Sequence, residues 1–228
     1  MKNESGFPEI TRNFLSALAR NNNKEWFEKN RTRFDFEFLQ PAVQFVIDLG
    51  EKLTELSPNI NAIPKIDKSI FRLYRDVRFS KNKTPFKTNL GLFFWEGSGK
   101  KMECPGFYFH IEPKLFFLGA GMYQLTKDQL KKYRELVSDP AKGKELKDIT
   151  SRLLKNNKYQ LGGKTYKKTP RGFDPDYKYN ELLLHSGIYI YYESKNFDEL
   201  TKKDPVNFSF SIYKETYPFH KWCVENIY

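Results

Sequence analysis

The stretch LGLFFWEGSGKKMECPGFYFHIEPKLFFL, residues 90–118, decides the fold. It contains three short aromatic-rich segments, Leu90–Trp95, Phe107–Ile111 and Leu115–Leu118, with the length and composition of β-strands. A Gly-Ser-Gly turn and a Glu-Pro-Lys turn lie between them. Consecutive strands with such connections pair antiparallel, because a parallel pair needs a long crossover. The sequence therefore predicts a central antiparallel sheet.

Helical patterns precede this sheet. Apolar residues recur at helical spacing from Ile10 to Leu18, and Thr11 is the predicted N-cap. The Asn-Asn-Asn run at residues 21–23 ends that helix and offers a cap for the next one. Pro41 suits the first turn of a third helix. The N-terminal third is therefore predicted to be helical.

Further elements follow the sheet. Helices are predicted to begin at Thr126, at Asp139-Pro140 and at Asp204-Pro205, and short strands are predicted over residues 164–168 and 187–193. The predicted fold class is α+β, with a helical N-terminal third, a central antiparallel sheet of aromatic-rich strands and further helices packed on it. No linker interrupts the chain, so a single domain over residues 1–228 is expected.

The composition narrows the class of protein. Aromatic residues make up 17% of the chain, which excludes a disordered protein. The first ten residues lack an apolar signal region, and Cys104 and Cys223 do not make a disulfide framework. No apolar stretch reaches the roughly 20 residues of a membrane span. We therefore expect a cytoplasmic protein with no membrane partner.

Positive charge is concentrated in one region of the chain. The net charge is +11, and residues 65–101 contribute ten basic and three acidic groups, a net +7. A regional excess of this kind attracts anions, whether phosphate, nucleic acid or acidic protein. The alternative is a soluble lysine-rich surface without a partner.

The segment SIFRLYRDVRFSKNKTPFK, residues 69–87, carries most of this charge. If residues 70–74 form a strand, alternation places Arg72 and Tyr74 on the non-core face or in the lining of a pocket, and the polar stretch over residues 80–85 is predicted to be a loop. Together they offer the donors that anionic oxygens use. The predicted anion-binding residues are Arg72, Arg75, Arg78, Ser80, Lys81, Lys83 and Thr84, with Arg171 as an addition.

Asp76 is the predicted orienting residue of this cluster and the nearest candidate base. An arginine-paired carboxylate has a lowered pKa, however, which makes it a poor base. The alternative is a structural network in which Asp76 organises Arg75 and Arg78 and stabilises the fold. A second alternative is a non-enzymatic module that binds nucleic acid or acidic protein, since aromatic residues alternate with the basic ones. Whether the protein is an enzyme stays open.

Other motifs favour structural interpretations. Asp174 and Asp176 are two carboxylates that could bind a hard cation, but a turn is the more ordinary role. The histidines lack zinc-ligand spacing, and His110 is interpreted as a hydrogen-bonded histidine of the half-buried strand. Gly119-Ala120-Gly121 is too short for a dinucleotide motif and indicates a strand kink or bulge. No metal site and no cofactor is predicted.

Several stretches resemble one known family. Besides residues 69–87 they are NNNKEWF at 21–27, GFYFHIEP at 106–113, GAG at 119–121 and KTPRGFDPDY at 168–177. They are similar to the signature of a conserved family of uncharacterised bacterial and fungal proteins, a domain of unknown function. That family typically has Asp where this chain has Asn82, and often Tyr where it has Phe86. The resemblance implies one full-length domain and no established activity.

Overall fold

The computed structural model describes residues 6–228 and has the predicted α+β architecture. Helices come first in the chain. They are α1 (Glu9–Arg20), α2 (Lys24–Lys29), α3 (Arg31–Arg33), a π-helix (Phe34–Leu39) and α4 (Gln40–Leu53). The Asn23 side chain caps α2 by accepting from Trp26 N at 2.8 Å, and Pro41 lies in the first turn of α4, so both of these predictions are confirmed. The N-terminal third is helical, as predicted.

The strands form one six-stranded antiparallel sheet. Its members are β1 (Ile60–Asn61), β2 (Leu90–Glu96), β3 (Gly106–Ile111), β4 (Phe116–Met122), β5 (Gln160–Lys164) and β6 (His185–Ser194). Their order in the sheet is β1-β2-β3-β4-β6-β5. The three aromatic-rich strands are therefore consecutive neighbours, as expected of a meander.

The remaining helices follow the first four strands and are largely amphipathic. They are α5 (Lys127–Ser138), α6 (Pro140–Leu154), α7 (Asn180–Leu183), α8 (Asp198–Thr201) and α9 (Pro205–Asn226), with a 3₁₀ turn at Lys101–Glu103. Thr126 and Gln129 form a capping box at the start of α5. Asp139 caps α6 by accepting from two backbone N–H groups, at 3.0 and 2.8 Å. Two of the predicted helix starts are therefore confirmed together with their physical cause.

The chain divides into two compact units, each built from three separate segments. The first unit contains residues 6–94, 108–117 and 193–211, and the second contains residues 95–107, 118–192 and 212–228. In the first unit the core is aromatic. Phe27 stacks on Phe86 with ring centroids 4.3 Å apart, and Phe34 stacks on Phe38 at 5.3 Å. Such pairs add to the stability that ring burial alone supplies.

The second unit contains its own core and its own buried polar pairs. Strands β5 and β6 pair antiparallel, with Gln160 opposite Tyr191. His220 is fully buried, and its Nε2 lies 2.9 Å from a carboxylate oxygen of Glu96. The Tyr133 hydroxyl donates to the backbone carbonyl of Leu182 at 2.8 Å. These bonds satisfy polar groups that would be costly to bury alone.

Three local predictions were wrong. Residues 70–74 do not form a regular strand, because Ile70 and Tyr74 make only isolated bridges, to Leu92 and Phe86 respectively. The strand predicted over residues 164–168 lies instead at residues 160–164, where it pairs with β6 and has a register shift between Gly162 and Lys164. Thr11 does not cap α1, which begins two residues earlier; its hydroxyl is buried and donates to Glu37 O at 2.7 Å.

One glycine of β4, Gly121, has a backbone conformation and surroundings that exclude a side chain. Gly121 has a φ of 127°, and a Cβ there would lie 2.4 Å from the carbonyl oxygen of Ile188. A side chain could not be accommodated at that position without moving the backbone. Gly121 thus allows a close approach of β4 to β6.

Candidate functional site

The basic segment, residues 69–87, doubles back on itself within the first unit. Arg75 N donates to Pro85 O at 2.9 Å, and Lys87 N donates to Leu73 O at 2.7 Å. Between them Tyr74 and Phe86 form an antiparallel bridge. Residues 76–84 are therefore a loop at the end of a short hairpin-like pairing. Arg75 and Lys87, twelve positions apart in the chain, therefore lie on either side of the Tyr74–Phe86 bridge.

Asn22 fixes the returning arm of this segment to the helical region. Its side-chain Nδ2 donates to Phe86 O at 3.0 Å, and its Oδ1 accepts from Phe86 N at 3.1 Å. The Phe86 ring is buried and stacks on Phe27 of α2. Backbone and side chain of the same residue are therefore both held, which positions its neighbour Lys87.

A cleft of about 310 Å³ opens at this place. Its lining combines two cations, three amides, two hydroxyls and one aromatic ring. The lining residues are Asn22, Arg75, Asn82, Thr84, Phe86, Lys87, Thr88 and Asn89. Except for the ring, these side chains carry the hydrogen-bonding groups that bind an anion.

The Arg75 guanidinium is held by a short hydrogen-bond chain. Its Nη1 donates to the Thr84 hydroxyl at 2.8 Å, and that hydroxyl donates to the side-chain oxygen of Asn82, also at 2.8 Å. The same Asn82 oxygen accepts from Thr84 N at 2.9 Å. Only neutral groups bond to Arg75 in this chain, so its positive charge is oriented but not neutralised.

Three positive charges influence one another at the cleft. Burial lowers the pKa of Lys87, and the nearby charges of Arg72 and Arg75 lower it further, while Asp67 opposes them. The Arg75 side chain donates to a neutral hydroxyl, and Asp67 is the carboxylate whose charge acts on Lys87. The pKa of Lys87 is lowered overall, so burial and the two arginines outweigh the opposing charge of Asp67. We call these three residues the cationic cluster.

The other predicted cations lie outside the cleft lining. Arg78 forms a bidentate pair with Asp76, with Nε–Oδ1 at 2.9 Å and Nη2–Oδ2 at 2.7 Å. This pair lowers the pKa of Asp76, which is thus the partner of Arg78. The Lys83 amino group donates to the backbone carbonyl of Val77 at 3.0 Å.

Three further predicted residues also lie apart from the cleft lining. Ser80 is half-buried and Lys81 is exposed. Arg171 is exposed and belongs to the second unit. Of the eight predicted anion-binding residues, the structure therefore brings Arg75 and Thr84 into the cleft, while Arg72 acts on it through the effect of its charge on the pKa of Lys87.

Six residues of the cleft lining were missed by sequence reasoning, namely Asn22, Asn82, Phe86, Lys87, Thr88 and Asn89. Lys87 ends the basic segment and could have been included on charge alone. Asn22 was interpreted only as part of a helix break, because its partner Phe86 is 64 residues away in the chain. Thr88 and Asn89 follow the basic segment and precede β2. Their polarity carried no local signal that distinguished them from an ordinary turn.

The alternative metal site has a structural explanation. Asp174 Oδ1 accepts from Asp176 N at 2.9 Å, which is the turn geometry expected of an aspartate two residues before its partner. Within the part of the chain that the structure describes, no group of three or more His, Cys, Asp or Glu side chains could hold a metal ion.

The fold and the cleft define an α+β domain with a cationic cluster supported by amide and hydroxyl groups. Residues 11–222 match the conserved hypothetical protein family DUF2461, and the chain belongs to that family. No curated protein and no solved structure matches the chain. Among residues 6–228, no helix combines the length and apolar character that a membrane crossing requires.

Proposed function

We propose that the cleft binds a phosphate-type anion. The observation that carries this proposal is that Arg75 and Lys87 line one cleft together with amide and hydroxyl groups, and that burial and the neighbouring Arg72 and Arg75 charges lower the pKa of Lys87 despite Asp67. A bound anion would remove the repulsion among these cations and accept charge-assisted hydrogen bonds from them. The proposal thus gives a reason for an arrangement that is unfavourable in the unliganded protein.

The neutral groups of the cleft suit the same ligand. Thr84 and Thr88 offer hydroxyls, and Asn89 offers an amide. The volume, about 310 Å³, lies at the small end of the range typical of small-molecule sites. We therefore infer a small phosphorylated molecule rather than a large cofactor.

A second candidate is a single-stranded nucleic acid whose phosphate occupies the same cleft. It is favoured by Phe79, which is 95% exposed in the basic loop, with the Arg78 guanidinium 5.8 Å from its ring centroid. An exposed ring beside cations can stack on a base. An acidic protein surface would use the same cations without the ring. In the third alternative, the cluster is a structural feature only and binds no partner.

Isothermal titration with inorganic phosphate, pyrophosphate and a short oligonucleotide tests these candidates. Arg75→Gln should weaken phosphate binding about tenfold to a hundredfold, because a hydrogen bond to a charged group contributes about 1.5–3 kcal/mol. Arg152→Gln is the matched control, since Arg152 is exposed on α6 and outside the cleft. Equal affinities of wild type and Arg75→Gln, or no binding at millimolar phosphate, would refute the proposal.

Salt dependence separates the two ligands. Backbone binding of nucleic acid falls steeply with salt, by roughly 0.7 log units per neutralised phosphate for each log unit of salt on a single strand. A site for one small anion responds far less. An oligonucleotide affinity that is stronger than that of phosphate and collapses between 50 and 200 mM salt would favour the second candidate.

A further inference from the structure

Three polar side chains form a hydrogen-bonded chain in the first unit, two from β3 and one from the residue that follows it. The Tyr108 hydroxyl lies 3.0 Å from His110 Nδ1, and His110 Nε2 lies 3.0 Å from Glu112 Oε1. Alternate residues of an extended strand point to the same face, so the sequence spacing alone aligns them. We call these three residues the relay.

The order of donors in the relay follows from the chemistry of its ends. An ionised carboxylate only accepts, so Nε2 carries the imidazole proton and donates it to Glu112. The other nitrogen, Nδ1, is then an acceptor and receives the Tyr108 hydroxyl proton. Burial lowers the pKa of His110, against the opposing effect of Glu112, which favours the neutral imidazole that this order requires.

The imidazole is held rigidly in this orientation. His110 is buried, and its ring stacks on Phe117 of β4 with centroids 4.3 Å apart and an angle of 18° between the planes. The Glu112 side chain is 45% exposed, so the outer end of the relay reaches solvent. A base held by stacking on one side and by a carboxylate on the other is the arrangement that activates a hydroxyl group.

The Tyr108 end of the relay and the Lys87 side chain are both close to one ring, that of Phe71. A Cβ on Gly91 would come within 2.6 Å of the Tyr108 hydroxyl, so the absence of a side chain there leaves room for this group. The Tyr108 ring packs edge-on against Phe71, with centroids 6.0 Å apart. The Lys87 amino group lies 5.9 Å from the centroid of the same Phe71 ring. Phe71 therefore contacts both the cationic cluster and the relay.

We propose that Tyr108 is a nucleophile activated by His110, with Glu112 as the positioning residue, and that its substrate is a phosphate ester. The identity of the substrate rests on the proposed function of the cleft, whose cations would hold the anionic group. In the reaction a bond forms between the Tyr108 oxygen and phosphorus, and the bond from phosphorus to the leaving oxygen breaks. The hydroxyl proton passes to His110 Nδ1 and from there to the leaving oxygen. Attack by water on the phosphotyrosine then restores the enzyme and releases phosphate.

Labelling with an aryl sulfonyl fluoride tests the relay without any phosphate ligand. The tyrosine oxygen bonds to sulfur, fluoride leaves, and the proton is taken up by the base. Peptide mass spectrometry compares Tyr108 with Tyr123, which is 70% exposed and serves as the internal control. We expect Tyr108 to react at least tenfold faster at neutral pH, in line with the contribution of a positioned base. Labelling no faster than at Tyr123 would overturn the proposal.

Variants of the relay separate activation from simple exposure. His110→Asn should reduce labelling of Tyr108 at least tenfold, and Tyr108→Phe should abolish it at this peptide. Glu112→Gln should slow labelling in the wild-type background and cause no further loss in His110→Asn, because Glu112 acts only through the imidazole. If His110→Asn does not fold, Glu112→Gln still tests the relay, because Glu112 is partly exposed and its replacement should leave the fold intact. Unchanged labelling in Glu112→Gln would refute its positioning role.

The labelling and phosphate-binding experiments can refute the two proposals separately. Fast labelling of Tyr108 with no phosphate binding would leave the activated tyrosine standing and refute its phosphate-ester substrate. Phosphate binding with labelling no faster than the control would leave the anion site standing and refute the nucleophile.

Discussion

Replacement of Lys87 by methionine should weaken anion binding and stabilise the unliganded protein at the same time. The half-buried lysine is repelled by Arg72 and Arg75, and methionine keeps the apolar stem that lies against Phe71. Removal of the charge therefore relieves repulsion without opening a cavity. A residue that served only the fold would show the opposite sign, because its loss would lower stability.

The expected magnitudes follow from these contacts. A like-charge pair at the surface costs roughly 0.2–0.5 kcal/mol, so relief from two arginines gives roughly 0.4–1 kcal/mol as an upper limit, because the attraction to Asp67 is lost as well. For a chain of this length that raises the unfolding temperature by about 1–4 °C. With phosphate at about 100 times Kd, wild type gains about 2.7 kcal/mol, and a tenfold weaker variant gains about 1.4 kcal/mol.

The stability difference between wild type and Lys87→Met should also depend on pH. The pKa of Lys87 is lowered in the folded protein, so between that value and its ordinary value near 10.4 the unfolded chain holds more protons. Wild-type stability therefore rises with pH in this window relative to Lys87→Met. The advantage of the variant should be complete at neutral pH and should shrink as the pH is raised towards 10.4.

Thermal unfolding with and without phosphate measures both effects. Lys81→Met is the matched control, because Lys81 is an exposed lysine of the same loop outside the cleft lining. It should change neither the unliganded unfolding temperature nor the phosphate-induced shift. A lower unfolding temperature for Lys87→Met without phosphate, together with an undiminished shift in its presence, would refute the reasoning.

Three further predictions concern the support of the site and the core. Asn22→Ala should destabilise the protein by about 2 kcal/mol, and its unfolding temperature should fall by about 4–8 °C, because two backbone groups of Phe86 lose their partner. Arg78→Gln should leave the unfolding midpoint and phosphate affinity unchanged, since its pair with Asp76 is exposed. Cys223 should resist alkylation by iodoacetamide at pH 8 until the protein unfolds, because burial raises the pKa of its thiol. Rapid alkylation of the native protein would contradict this burial.

The sequence predicted the elements that depend on local signals. The caps at Asn23, Thr126 and Asp139 are side-chain effects within three or four residues, and they are confirmed. The strand predicted over residues 70–74 was wrong, because apolar and polar residues can alternate as in a strand even where only isolated bridges form. The pattern reports burial on one side, and regular pairing depends on the neighbouring backbone.

The site was predicted only in part, for a related reason. Charge density located the segment at residues 69–87, but it could not distinguish a cation facing the cleft from one paired within the loop. Arg78 and Arg75 are three residues apart but bond differently. The Arg78 guanidinium donates to the Asp76 carboxylate, whereas the Arg75 guanidinium donates to the Thr84 hydroxyl. The Asn22 contribution depends on a tertiary contact that no local pattern encodes.

Diffraction from a crystal soaked in sodium tungstate tests the central claim most directly, since tungstate is a phosphate-like oxyanion that can be located by its anomalous scattering. We predict an anomalous peak in the cleft, with its oxygens in hydrogen-bond contact with the Arg75 guanidinium and the Lys87 amino group. A cleft without a peak at millimolar tungstate, in a crystal where no neighbouring molecule covers it, would contradict the account.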